Sequence, residues 1–462
     1  MTYINRAISF LHISNTFSHF SLRYSMVFNY LCTSKHTTMN VLIINTSEKT
    51  GGAAVASNRL MNALNNNGVK ARMIVRDKET DEITVAPVGH PWLAQWAFLW
   101  ERLCIYMHLH FKREHLFEID IANAGMDITR TRYFKEADII HLAWINQGFI
   151  SLKGIRKILD SGKPIVWTMH DMWPATAICH YTRGCKYYQS ACHDCRLLPD
   201  GGSSHDLSSK VWRKKHAIIH NHTINFVSCS RWLQRQAEQS SLFRHQSVIT
   251  IPNPINTHIF QPADKEEARK HMHLPTGKRI ILFVSQKVTD ERKGMKYFIE
   301  ATKKMIAADP TVKDTTAVAI MGGHGEEIAS QLPLQAYPLG YVSDDRAIVD
   351  AYNSADVFVL PSLEDNLPNT IMEAMACGVP CVGFNVGGIP EMIDDKRTGY
   401  VAKEGDTDDL AAGISWALEP AQRQTLSKNS VDKVRHYYSE HAVAMQYIDV
   451  YTDAMAQKRY NI

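Results

Sequence analysis

The stretch PSLEDNLPNTIMEAMACGVPCVGFNVGGIPEMI, residues 361–393, follows one apolar run at 357–360 and contains a second at 379–384. Both runs read as short buried strands closed by Gly and Pro. A short helix falls between them. Pro368 suits its first turn, where no N–H is needed, and Gly378, with Pro380 just beyond, suits a left-handed stop. Strand, acidic loop, helix and strand make a parallel α/β unit. In such sheets ligands gather at the carboxyl ends of the strands, where the next helix turns free N–H groups and a positive dipole end toward an anion. Phosphate is the usual occupant. Asp365 and Glu373, eight positions apart (373 − 365), would repel it, so the pair reads as facing the hydroxyl groups of a sugar or ribose.

This pattern resembles the nucleotide-sugar site of the family 4 retaining glycosyltransferases (glycosyl transferases group 1), whose hallmark is a Glu, seven residues, then a second Glu. Asp365 takes the first place and Glu373 the second. Asp is one methylene shorter, and Glu364 stands immediately before it; position in the motif favours Asp365. The resemblance covers about residues 39–455. It implies an α/β chain of GT-B architecture: two doubly wound Rossmann-like domains facing across a cleft, with a C-terminal helix crossing back to the first.

At 462 residues and 45% hydrophobic content the chain is long enough for two such domains. A net charge of +4 and a pI near 8.4, without a Lys/Arg block, argue against a nucleic-acid partner. No apolar run reaches the roughly 18 residues of a spanning helix.

Residues 1–38 hold no acid and lack an apolar core with a small-residue cleavage site. Met39 stands directly before a strand pattern at 41–45, so 1–38 reads as an upstream extension, disordered or preceding the native start. The resemblance divides the rest into an acceptor-side domain, 39–253, with a Cys-rich insertion at 179–195, a nucleotide-sugar domain, 254–438, and the C-terminal helix, 439–462. The boundary rests on VITIPNP, 248–254, because family members place a strand ending in Ile-Pro-Asn at the interdomain crossing.

Residues 40–68 are a strand, a Gly51-Gly52 loop, a helix and an Asn/Gly stop. The two glycines let backbone approach a ligand or simply make a tight turn; the resemblance implies a cleft-floor loop near the acceptor and the donor phosphates. His141 and His170 each lie at the end of a strand pattern. A lone His there is commonly structural, and His141 is read so. The resemblance implies that His170, opening HDMWP, hydrogen-bonds the donor sugar. Lys293 precedes Gly294 at the head of a helix, so an ammonium and helix N–H groups converge where a pyrophosphate could sit. A solvated surface lysine is the plainer reading; the resemblance implies a neutraliser of the diphosphate. Family members add an Arg where this chain has Gln286, leaving Lys287 or Arg292 to supply that charge. Tyr341 and Val342 follow as nucleobase-site candidates, and Gly387, Gly388 and Glu391 as the turn behind the donor.

Cys179, Cys185, Cys192 and Cys195 are four of nine cysteines. The CxxC at 192–195 is a two-ligand clip for tetrahedral zinc, and the other pair would complete a structural four-thiolate site, with His180 and His193 as alternates. Free thiols and a disulfide pair are the competing readings. Residues 92–117, rich in Trp, Phe, Tyr and Leu, read first as core or a partner groove and second as an amphipathic segment on a membrane surface.

The implied reaction moves a sugar from a UDP or GDP sugar to a hydroxyl acceptor, a glycan or lipid-linked, with retained configuration. The implied setting is cell-surface polysaccharide or glycolipid synthesis, in the cytoplasm or at the inner face of the plasma membrane. Lys293 and the N–H groups of Asn366 and Leu367 would stabilise the leaving diphosphate, Glu373 would hold the ribose, and Asp365 and His170 the sugar. No catalytic metal is required. Two alternatives share the architecture. A nucleotide-sugar 2-epimerase needs more acid/base groups than two acids and one His; a non-catalytic binding subunit fits the Asp in the first acidic place and the missing Arg.

Overall fold

The apolar runs of the first half pair side by side as β1 (Asn40–Ser47), β2 (Lys70–Asp77), β3 (Val85–Pro87), β4 (Ile139–Leu142), β5 (Ile165–Met169), β6 (Asn225–Ser228) and β7 (Ser247–Thr250). They form a seven-stranded sheet in the order β3-β2-β1-β4-β5-β6-β7. The second half supplies β8 (Arg279–Lys287), β9 (Thr316–Gly323), β10 (Gln335–Gly340), β11 (Val357–Leu360), β12 (Cys381–Phe384) and β13 (Gly399–Ala402). These form a six-stranded sheet in the order β10-β9-β8-β11-β12-β13. Every pairing in both sheets is parallel, and helices follow the strands. This computed structural model describes residues 39–460, so the expected extension, 1–38, lies outside the described residues.

Central strands covered on both faces must be apolar throughout. Val357, Phe358, Val359 and Leu360 are accordingly all fully buried, as are Cys381, Val382 and Phe384. In each sheet the strand order reverses once, between β1 and β4 and between β8 and β11. Such switch points open the crevices in which α/β sheets bind ligands, since helices leave to opposite faces there.

The decisive stretch folds as read, with one shift. Pro368 precedes the helix Asn369–Ala376 in an extended conformation rather than entering its first turn. Gly378 takes a φ of 73°, and a side chain there would run into Ser427 Oγ at 2.5 Å. The C-terminal helix Glu440–Tyr460 returns to the first sheet. Tyr451 Oη meets His141 Nδ1 at 2.5 Å, and Thr168 Oγ1 lies 2.9 Å from Tyr447 Oη and 2.8 Å from His141 Nε2. His141 is thus a satisfied core residue, its pKa pulled down to about 3 by burial.

The core reading of residues 92–117 is corrected. They form the helix Pro91–His108 and a following loop, but the helix buries only Ala94, Glu101, Arg102 and Ile105. Its tryptophans stand in solvent. No described helix is long and apolar enough to cross a membrane.

Candidate active site

Lys293 follows β8 and Asp365 follows β11, so the switch point of the second sheet brings together residues 72 positions apart. Lys293 closes a turn at Glu291–Lys293, and Gly294 reverses the chain with a φ of 75°. Gly294 packs so tightly on Pro361 that a β-carbon would lie 1.8 Å from the Pro361 carbonyl oxygen. That contact sets Lys293 Nζ in hydrogen-bond reach of Asp365 Oδ2. Ser362 Oγ donates to the same oxygen at 3.2 Å, and Arg292 Nη1 lies 3.7 Å away. Burial works against charge on Asp365, yet Lys293 and Arg292 outweigh it and hold the carboxyl below its usual range. Burial likewise pulls the Lys293 ammonium down, with Asp365 opposing.

Glu364 and Asp365 part company here. Glu364 turns away and accepts from the Arg183 N–H at 3.4 Å, and burial raises its pKa. Arg292 Nη1 donates to the Glu364 carbonyl at 2.9 Å, and its guanidinium lies 5.1 Å from the Tyr181 ring centre. Of the two cations weighed to replace the missing Arg, Arg292 is therefore at the site. Lys287 and Gln286 are exposed.

The first sheet closes the other side. His170, at the end of β5, is half-buried, and burial lowers its pKa to about 4, so the imidazole is neutral. Its carbonyl accepts from Asn366 Nδ2 at 3.1 Å, and Asn366 Oδ1 accepts from Ser230 Oγ at 2.5 Å. Asn369 Nδ2 donates to the Gly52 carbonyl at 2.9 Å, and Asn253 Nδ2 to Asn369 Oδ1 at 3.0 Å. The Gly51-Gly52 loop thus lies against the start of the Asn369–Ala376 helix. The backbone N–H groups of Asn366 and Leu367 have no acceptor among the described residues. Gly387 and Gly388 press on that same loop: β-carbons would sit 1.7 Å from the Asp365 carbonyl oxygen and 1.8 Å from that of Asn366. Glu391 then receives the N–H groups of Arg231 and Trp232 at 2.8 and 2.6 Å, capping a helix of the first half.

Other expected residues fall elsewhere. Glu373 does not join the Asp365 cluster: Oε1 accepts from Arg59 Nη2 and Oε2 from Tyr352 Oη, each at 2.7 Å. Tyr341 follows the edge strand β10 and is exposed, with Val342 half-buried beside it. The zinc expectation gains no support. Among the described residues no three His, Cys, Asp or Glu side chains converge as a metal site, and Cys179, Cys185, Cys192 and Cys195 are free thiols. Burial, with the neighbouring thiols adding to it, pushes the thiols of Cys179, Cys192 and Cys195 up. What staples their loop is ionic. His180 lies between Asp171 Oδ2 at 2.7 Å and Asp120 Oδ2 at 2.6 Å, and Asp171 also accepts from Trp144 Nε1 and the Trp173 N–H.

Residues 278–420 match the family model for Glycosyl transferases group 1. Over 222 residues the chain is 31% identical to a D-inositol 3-phosphate glycosyltransferase of Streptosporangium roseum, covering 45% of this chain and 50% of that protein. The chain spans about half the length of the curated relatives it matches. Among solved structures, sucrose-phosphate synthase from Thermosynechococcus elongatus superposes with a TM-score of 0.62 at 19% identity, over 91% of this chain and 100% of that one. HepE from Anabaena, in complex with UDP and glucose, does so with 0.58 at 16%, over 90% and 100%. At such identities the likeness is one of fold: the chain has the two parallel-sheet, Rossmann-like domains of these GT-B structures.

Sequence reading missed Tyr181, Arg59, Ser230, Asn253 and Asn369. Apart from Asn253, which the Ile-Pro-Asn pattern marked only as a boundary, none carries a local signal, because each meets its partner across segments far apart in sequence.

Proposed function

We propose that the chain is a retaining family 4 glycosyltransferase that moves a sugar from a UDP or GDP sugar to a hydroxyl acceptor. The proposed divide between its acceptor-side and donor-side domains lies near Asn253. One observation carries the reading: an anion-ready corner at the switch point of the second sheet. There Lys293 meets Asp365 and Arg292 the Glu364 carbonyl, and the N–H groups of the next two residues, Asn366 and Leu367, have no acceptor among the described residues. Charge develops on the leaving diphosphate as the sugar bond breaks, and fixed donors placed where that charge appears lower the barrier. In the free chain Asp365 holds the two cations; with donor bound, its carboxylate is free to accept from sugar hydroxyls. Neutral His170 serves as a hydrogen-bonding partner rather than a counter-ion. Glu373 takes the ribose hydroxyls, with Tyr352 fixing one oxygen and Arg59 yielding the other. Tyr341 and Val342 border the base. The match to group 1 glycosyl transferases and the UDP seen in HepE support a nucleotide-diphosphate donor. A cytoplasmic role in cell-surface polysaccharide or glycolipid synthesis is part of the proposal.

Incubation with UDP- and GDP-sugars, following nucleoside diphosphate release and the sugar's fate, tests it. Release with retained anomeric configuration supports the proposal. An interconverted sugar nucleotide indicates an epimerase, and saturable binding without turnover a binding subunit; either defeats it.

A further inference from the structure

The helix Pro91–His108 presents an apolar stripe to solvent. Trp92, Trp96 and Trp100, four residues apart, are 59, 64 and 52% exposed. Leu99, Leu103 and Met107 extend the same face, since steps of four, seven and eleven residues return to one side of a helix. The opposite side carries the buried Ala94, Glu101, Arg102 and Ile105, so the helix is seated by its inner face and leaves its larger side chains outside. Contiguous exposed apolar patches of this kind mark interaction surfaces on soluble proteins.

We infer that this face docks on an anionic membrane surface, the helix lying in the interfacial plane. Two observations select lipid. Tryptophan prefers the bilayer interface, where its ring is buried and its N–H stays wet. The carboxyl end of the stripe runs into exposed His108, His110, Lys112 and Arg113, while Glu101, the acid within the helix, is buried and the exposed Glu114 follows. Cations beside a partly inserted apolar face complement anionic headgroups.

The helix also lies at the cleft edge. It follows β3, and Gly148, in the loop after β4, has space for no side chain, because a β-carbon would lie 2.6 Å from the Phe98 backbone. The Arg76 guanidinium, at the end of β2, lies 5.2 Å from the Phe98 ring centre. Docking therefore sets the carboxyl edge of the first sheet beside the bilayer. On the inner face, Arg102 pairs with Asp120, which holds His180, which holds Asp171 beside His170. A chain of ion pairs thus links the anchor to the site.

The test is sedimentation of the full chain with vesicles of phosphatidylcholine alone or with phosphatidylglycerol, together with tryptophan emission. The expected result is binding to the anionic vesicles, a blue-shifted emission and weakening by salt. Replacing Trp96→Ser and Trp100→Ser together should lower partitioning at least about tenfold, with melting temperature and UDP binding unchanged. Lys112→Glu with Arg113→Glu should remove the preference for anionic lipid. Failure to bind either vesicle overturns the inference, as does equal binding to both. A concentration-dependent dimer that the tryptophan variant abolishes would assign the face to a second copy and overturn it too.

Discussion

Replacing Lys293→Met should separate what the Lys293–Asp365 pair does for the fold from what it does for the reaction. Asp365 is buried and Lys293 largely so, with side chains 9 and 17% exposed. Removing one member of a buried ion pair costs about 3–5 kcal/mol, because a charge is left without compensation. Here Ser362 at 3.2 Å and Arg292 at 3.7 Å still face Asp365, so the expected loss is about 2–3 kcal/mol. Asp365→Asn should cost about 2 kcal/mol, since it strands two cations. The double variant removes the charge and its counter-charge together and should lose only about 1 kcal/mol. Turnover should behave in the opposite sense. Without the ammonium that meets the leaving diphosphate, kcat should fall by about 10²–10³ in Lys293→Met, and Asp365→Asn should not restore it. Urea midpoints and nucleoside diphosphate release on the same four proteins measure both quantities. Additive stability losses in the double variant would show that the two side chains do not act as a pair. Recovery of turnover would show that Lys293 serves only to neutralise Asp365.

Glu373→Gln should weaken UDP binding at least about tenfold, the loss of a charged hydrogen-bond acceptor, whereas Arg59→Met should not; equal losses would reduce Glu373 to an interdomain tie. Gly387→Ala should abolish donor-induced thermal stabilisation and cost about 2 kcal/mol or more, because its β-carbon would meet the Asp365 carbonyl oxygen at 1.7 Å; a normal UDP response would contradict that packing. His180 has an alkaline signature. Burial opposes its charge, but Asp171 and Asp120 push its pKa up to about 10, above the roughly 6.5 of the unfolded chain. Its stabilisation is therefore complete below about pH 6.5 and lost as pH rises through about 10. Lys215, pulled down to about 7 by burial, gains over the same window. The readout is accordingly the difference between wild type and His180→Gln, which should shrink steadily from pH 7 to 10; a constant difference would mean that His180 is not charged.

The two sheets were readable because each strand–loop–helix unit announces itself within about thirty residues: an apolar run, a Gly or acid, a periodic helix and a stop. The same locality placed Asp365, Lys293, Asn366 and His170 at strand ends. It failed for Arg59, 314 positions from Glu373, and for Tyr181, which reaches Arg292 across the cleft. It also misjudged the helix Pro91–His108. Periodicity shows that aromatic residues share a face, but not whether anything covers it, and the inner side is held instead by Arg102, Glu101 and Ile105. Four cysteines at suggestive spacing likewise defined a loop without defining a ligand set, which depends on where the thiols point.

The chain's pattern by itself determined the α/β class, the βα units and the strand-end positions of the polar residues, because backbone hydrogen bonding and side-chain periodicity act over neighbouring residues. Only the tertiary structure decided which carboxylate meets Lys293, what occupies Glu373, and that three tryptophans face solvent. Those outcomes depend on pairings between segments far apart in sequence, fixed by close packing of the two sheets and their loops rather than by any local preference.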